Sequence, residues 1–369
     1  MLSYKKSFFD MDSCKPARPF PLSTGQKHHL FAARLRFASA GMRGNFGREL
    51  LFLVLLILLV GCSSTSLPPT PAPTTRSTAR PAATLTPGNG GGTGRIALAC
   101  APDVAHADVN ICVSNLDGSD MHRLTNGPGP ELSPSWSPDG KRLIYRYTPD
   151  PNQFELSDIW IMNADGSGKT NLTRDRQGNW GATWSPDGKH ILFNSGRDGS
   201  APQLYIMNPD GTGLHHLLSG MWGEYPDWSP DGKKIAFMSN IGTDSFVLYV
   251  MNADGSGITR VTNGPREDSG PRWSPDGKKI AFTSNRTGHT EVYVMNADGS
   301  GLHRLTASPP GSSSGGPDWS PDGTKILFLR SLPKSGENWI MNSDGSAQTK
   351  LSDTYGFGDA PVWQPKTGH

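Results

Sequence analysis

Four carboxylates are spaced as if to share one opening. Glu131, Glu224, Asp268 and Asp359 each stand four or five residues ahead of a recurring tryptophan, while Trp180 takes that place in a fifth copy and Gly315 in a sixth. In a repeat fold closed around an axis, one repeat position makes one ring, so these acids could surround one opening and bind a ligand there or, in the alternative, act as acid and base. Trp180, Trp222 and Tyr225 would add aromatic faces suited to stacking on a sugar or gripping a cationic side chain. The same carboxylates are also suited to accepting backbone N–H groups in turns, as acids at repeat positions often do. Catalysis needs unlike groups brought together as acid, base and stabiliser. A nearly symmetric acidic mouth without a His or Lys base points to binding, and no catalytic residue is assigned.

Other chemistry-bearing motifs carry less. Gly311-Ser312-Ser313-Ser314-Gly315 matches a nucleophile elbow by letter, but such a serine needs a strand before it and a helix after it, and this run enters a strand. Asn-Ala-Asp-Gly-Ser-Gly, at Asn163, Asn252 and Asn296, alternates oxygen ligands but has no glutamate in register for calcium, so it reads as a hairpin turn. His122, His215 and His303 recur at one position on the outermost strand, too far apart to meet at one ion, and no metal or other cofactor is expected. Cys100 and Cys112 fall on neighbouring strands of one repeat and are candidates for a disulfide, which export would permit.

The elements that position these residues are repeats. Trp-Ser-Pro-Asp-Gly begins at Trp136, Trp184, Trp228, Trp273 and Trp319, and a degenerate copy begins at Trp363, with spacings of 48, 44, 45, 46 and 44 residues. A period near 45 fits the four short strands of one propeller blade. Ser-Pro-Asp-Gly suits a type I turn between the first two strands. Alternating segments such as Lys279-Ile280-Ala281-Phe282 form the second strand, Val292-Tyr293-Val294-Met295 the third, and Arg304-Leu305-Thr306 the fourth.

Counting strands closes the ring. Arg95 to Ala99 matches a second strand with no first strand before it, and Ala360 to Trp363 matches a first strand with nothing after it. The two ends complete one another, which shields the terminal edges. The expected fold is all-β: a monomeric six-bladed β-propeller over residues 95–369, with four-stranded antiparallel blades. Five intact copies of the motif make residues 95–366 resemble the TolB-type propellers, whose repeat also occurs in the N-terminal propellers of dipeptidyl-peptidase-like enzymes. The resemblance implies the fold and a binding role in the cell envelope. It does not carry over the Tol partner, because TolB has an α/β domain where this chain has a linker. The hydrolase domain of the peptidases has no room here.

The remainder of the sequence concerns location. Leu50 to Val60 is an unbroken apolar run of 11 residues, shorter than the ~20 that span a bilayer, preceded by Arg43 and Arg48. That layout is a secretory signal. Leu59-Val60-Gly61-Cys62 resembles the bacterial lipobox, which implies cleavage before Cys62 and lipidation of its sulfur. Residues 1–61 form the signal region, whose unusual length suggests a true start at Met42. Residues 62–94, rich in Ser, Thr, Pro and Gly, read as a disordered tether. Residues 1–61 hold nine Lys/Arg and three Asp/Glu, leaving 26 basic against 30 acidic residues, so the folded part lacks the basic footprint of a nucleic-acid binder.

The sequence therefore reads as an exported, membrane-anchored bacterial lipoprotein on the extracytoplasmic side. Its propeller would bind an envelope protein, peptide or cell-wall glycan at the channel mouth or the blade-edge loops. The membrane contact would be the lipid alone. A polysaccharide lyase or hydrolase acting at the same mouth is the alternative.

Overall fold

The computed structural model describes residues 94–100, 109–199, 201–218, 220–264, 266–333, 335–354 and 360–366. The signal region, Met42, Cys62, the tether up to Thr93 and Asp359 lie outside the described residues. Six four-stranded antiparallel sheets make a six-bladed propeller. Blade one runs Glu131–Trp136, Arg142–Tyr147, Asp158–Asn163 and Thr170–Asn171; blade two runs Asn179–Trp184, Ile191–Ser195, Gln203–Met207 and His215–Leu218. Blade three begins at Glu224–Trp228, blade four at Asp268–Trp273 and blade five at Ser313–Trp319.

The core is a set of seams between blades. Each motif tryptophan leans on the blade before it: Trp184 joins Ile144, Ile159 and Ile161 of blade one to Ile191 and Phe193 of its own blade. Trp228, Trp273 and Trp319 repeat the arrangement at the next three seams. Within each whole blade the second and third strands carry a directly opposed aromatic pair, such as Phe282 with Tyr293, ring centroids 5.9 Å apart. Burying such a side chain is worth about 1.5–3 kcal/mol, and the opposed aromatic pair adds about 0.5–1.5 kcal/mol.

The Ser-Pro-Asp-Gly turns form as the sequence predicts. In blade four the Gly277 N–H bonds the Ser274 carbonyl at 2.8 Å, the Ser274 hydroxyl donates to Asp276 at 2.6 Å, and the Lys279 N–H donates to that hydroxyl at 2.9 Å. The Asn-Ala-Asp-Gly-Ser-Gly segments likewise close hairpins: the Asn296 amide donates to the Ser300 hydroxyl, and Asp298 accepts the Ser300 N–H, both at 2.9 Å.

One irregularity recurs where it matters. Every whole blade's inner strand shifts register just before the tryptophan. The third residue ahead of the tryptophan takes a left-handed backbone, as Ser133, Gly181, Tyr225, Gly270 and Gly316, with φ of 54°, 61°, 50°, 58° and 60°. This is a β-bulge, and it breaks the simple alternation of faces along the strand that lines the channel.

The sixth blade is composite. Val362–Trp363 supplies its inner strand and pairs with Arg95–Cys100, which pairs with Asn110–Asn115 and then His122–Arg123. The closing pairing is short, Ile96 opposite Trp363 and Ala97 opposite Val362. It is reinforced by the Gln364 N–H on the Arg95 carbonyl at 3.0 Å and by the Gln364 amide on the Gly140 carbonyl at 3.0 Å. Cys112 occupies the place of the third-strand aromatic and forms a disulfide with Cys100, Cα atoms 5.9 Å apart.

Candidate functional site

The loops that lead into the inner strands and those joining second to third strands share one end of the propeller, opposite the Ser-Pro-Asp-Gly turns. There two of the residues four ahead of the tryptophan, Trp180 and Glu224, come together. Glu224 is 8% exposed, and its Oε1 accepts the Trp222 indole N–H at 2.6 Å. Burial raises its proton affinity above the usual carboxylate range, against the pull of the Trp222 and Trp180 indoles and the charge of Arg146. The Arg146 guanidinium carbon lies 5.9 Å from the Trp180 ring centre. On the far side the Trp222 ring meets Phe246 edge-on at 5.1 Å, and its carbonyl accepts the Ser239 hydroxyl at 2.5 Å. Arg146, Trp180, Glu224 and Trp222 thus make a continuous row across blades one to three.

The residues five ahead of the tryptophan go elsewhere, because one residue along a strand changes the face. Asp268 is fully buried and meets the Arg286 Nη2 with both oxygens, at 2.8 and 2.9 Å. Asn179, its equivalent in blade two, accepts from Arg197 at 3.0 Å. Glu131 is 4% exposed, accepts the Gly127 N–H at 3.3 Å, and is raised in proton affinity mainly by burial. Tyr225 sits on the bulge and packs into the seam between blades three and four. Trp180 and Glu224 therefore converge, while Glu131 and Asp268 are taken up within the sheets.

Ser313 and Ser314 lie on the inner strand of blade five, where the Ser314 hydroxyl is 2.8 Å from that of Ser308. His122, His215 and His303 each hold a carbonyl two residues back with Nδ1, at 2.9, 2.7 and 2.9 Å. No three His, Cys, Asp or Glu side chains group as metal ligands among the described residues.

One cluster stands beyond the sequence reading of the mouth, and Arg146, which opens a segment (146–158) whose departure from repeat symmetry marks it in the sequence as a contact candidate, joins the mouth. Arg146 fills a second-strand position where the next three blades carry Asn194, Met238 and Thr283. Deeper in the channel, Asp227, Arg272 and Asp318 line a cavity of about 170 Å³ with Trp228, Trp273 and Trp319. These are the residues immediately before three successive motif tryptophans, so an aligned reading of that column would show the break in symmetry. Arg272 reaches Asp227 at 3.5 Å. Burial pushes both carboxyls up to about 6, with Arg272 as the main opposing influence.

The sequence matches the family described as TolB beta propeller domain over residues 103–242 and 218–368. This chain belongs to that family. Among solved structures the TolB-type propeller described here is similar to TolB from Acinetobacter baumannii, at 24% identity and a TM-score of 0.64, covering 74% of this chain and 67% of that one. The putative TolB from Agrobacterium tumefaciens is also 24% identical, with a TM-score of 0.58 and coverage of 69% and 90%. Hydrazine synthase from Kuenenia stuttgartiensis is similar at 18% identity and a TM-score of 0.59, over 75% of this chain and 47% of that one. At such identities the likeness is one of fold, and a TolB-type propeller takes its function from its site.

Proposed function

We propose that this chain is a non-enzymatic envelope binding protein, held to a membrane by a lipid on Cys62, that recognises a protein or peptide at its propeller mouth. The observation that carries the reading is the Arg146-Trp180-Glu224-Trp222 row. It sets a buried carboxylate and a buried guanidinium beside two half-buried indoles, so a partner would meet the indole faces first, with the two charged groups behind them. Membership of the TolB propeller family supports an extracytoplasmic location, as does the signal-like run before Cys62. The engagement of Asp268 by Arg286 and of Glu131 by backbone favours binding over catalysis, since neither is free to act as acid or base.

The test is capture from envelope extract by the full chain in detergent, beside Trp180→Ala and Glu224→Gln variants. A partner retained by the parent protein and lost by both variants supports the mouth. Equal capture by all three moves the site to the blade-edge loops. Retention in the soluble fraction after Cys62→Ala, against membrane association of the parent, tests the lipid anchor.

A further inference from the structure

Blade two carries a cluster that the mouth does not use. His216 Nε2 lies 2.9 Å from Asp198 Oδ2 and 3.1 Å from the Tyr205 hydroxyl, and that hydroxyl donates to the same Asp198 oxygen in a short hydrogen bond. The Tyr205 and His216 rings lie 4.3 Å apart. Three donor atoms of different residues therefore meet at the outer side of the blade.

The repeat shows how unusual this is. Opposite the third-strand aromatic, the outer strand carries Arg260 in blade three, Arg304 in blade four and Lys350 in blade five. Blade two alone has a histidine there. In the loop between second and third strands, blade four places Thr287 by Tyr293, 3.1 Å from its hydroxyl. Blade two substitutes Asp198 at the equivalent step after Arg197. The two replacements exchange a cation and a neutral hydroxyl for an imidazole and a carboxylate, and both changes supply ligand atoms.

We propose that Asp198, His216 and Tyr205 bind a first-row divalent transition-metal ion, with copper(II) favoured over zinc. Ligands in cis positions on an ion with bonds of about 2.0–2.1 Å lie roughly 3 Å apart, which matches the two spacings from His216 Nε2, whereas the short Tyr205–Asp198 hydrogen bond has to open to that spacing as the ion takes the place of its proton. The set is one imidazole nitrogen and two oxygens without a thiolate, chemistry that suits copper(II) and zinc, with copper(II) ahead in the general affinity order. His216 and Asp198 are 40% and 43% exposed, leaving room for water to complete the coordination. Arg197, stacked 4.7 Å from the Tyr205 ring centre, is already paired with Asp175 at 2.9 Å, so its charge is answered locally. Burial and the Asp198 hydrogen bond hold the Tyr205 proton tightly, so metal binding has to displace that proton to solvent before the phenolate oxygen becomes a ligand.

Copper(II) titration of the full chain, followed by calorimetry and visible absorption, tests the site. One ion per chain and a phenolate-to-copper charge-transfer band are expected, with zinc competing for the same ion position. Tyr205→Phe should remain folded and lose the band. Asp198→Asn and His216→Gln should each weaken binding by about tenfold or more, in the range seen when a site loses an ordering or ligating group. A band that persists in Tyr205→Phe, or equal affinity in the parent and all three variants, would overturn the assignment.

Discussion

The Asp318 carboxylate accepts the backbone N–H of Trp363 at 2.8 Å, fastening the last strand of the chain to blade five. Asp227 makes the same bond to Trp273 at 2.7 Å, one blade step from Arg272. A side chain from one inner strand thus stitches the next, and at the closing seam it supplements only two paired residues. Asp318→Ala removes the acceptor and should cost about 1–3 kcal/mol. Asp318→Asn keeps an acceptor and discards a charge that burial disfavours, so its melting temperature at pH 7.5 should equal or exceed the parent's. A loss in the asparagine variant as large as in the alanine variant would show that the charge itself holds the seam.

The same carboxyls set a pH dependence. Asp227 and Asp318 are pushed by burial from 3.8 to about 6, so the folded state holds these protons more tightly than the unfolded chain does. Their contribution to stability is therefore largest at low pH and declines as pH rises through about 4 to 6. Turn aspartates such as Asp139 and Asp276 act oppositely, because the Ser137 and Ser274 hydroxyls hold their carboxyls below 3.8. What they contribute is lost as pH falls through that lower range. Denaturant midpoints across pH should pass through a maximum in the mildly acid range, and Asp227→Asn with Asp318→Asn should flatten the fall on the neutral side. A parent midpoint that climbs steadily from pH 5 to 7.5 would contradict this balance.

The Cys100–Cys112 disulfide fastens the two strands on which the closing strand must dock. It spans 12 residues of chain and stands where other blades use a third-strand aromatic. Replacing both cysteines with serine should destabilise the propeller by about 2–4 kcal/mol, read as a lower urea midpoint. Reductant should lower the parent to the variant's midpoint and leave the variant unchanged.

The blades and their closure were legible because each repeat carries its own turn chemistry and an anchoring tryptophan. The faces of the inner strands were not. Glycine at 181, 270 and 316 is compatible with a bulge, but Ser133 and Tyr225 adopt the same left-handed backbone with no sign in their side chains. Residues four and five ahead of the tryptophan therefore looked interchangeable, although one offset places Glu224 in the mouth and the other buries Asp268 against Arg286. Asp198 and His216 were hidden for another reason: 18 residues of chain separate them, and only the pairing of third and fourth strands brings them together.

The mouth row makes a last prediction that separates binding from folding. The Glu224 carboxylate is buried, and the Trp222 indole is one of its donors. Trp222→Phe keeps the ring against Phe246 but removes the N–H, and should cost about 1–3 kcal/mol because the buried acceptor loses a partner. Glu224→Gln keeps the shape and, since the ionised form is disfavoured by burial, should be nearly neutral for stability at pH 7. If the row recognises a partner through this carboxylate, the glutamine variant should fold like the parent and capture far less of it. A glutamine variant that melts with the parent and captures equally would leave Glu224 a structural acid, and the indoles or Arg146 would then carry recognition.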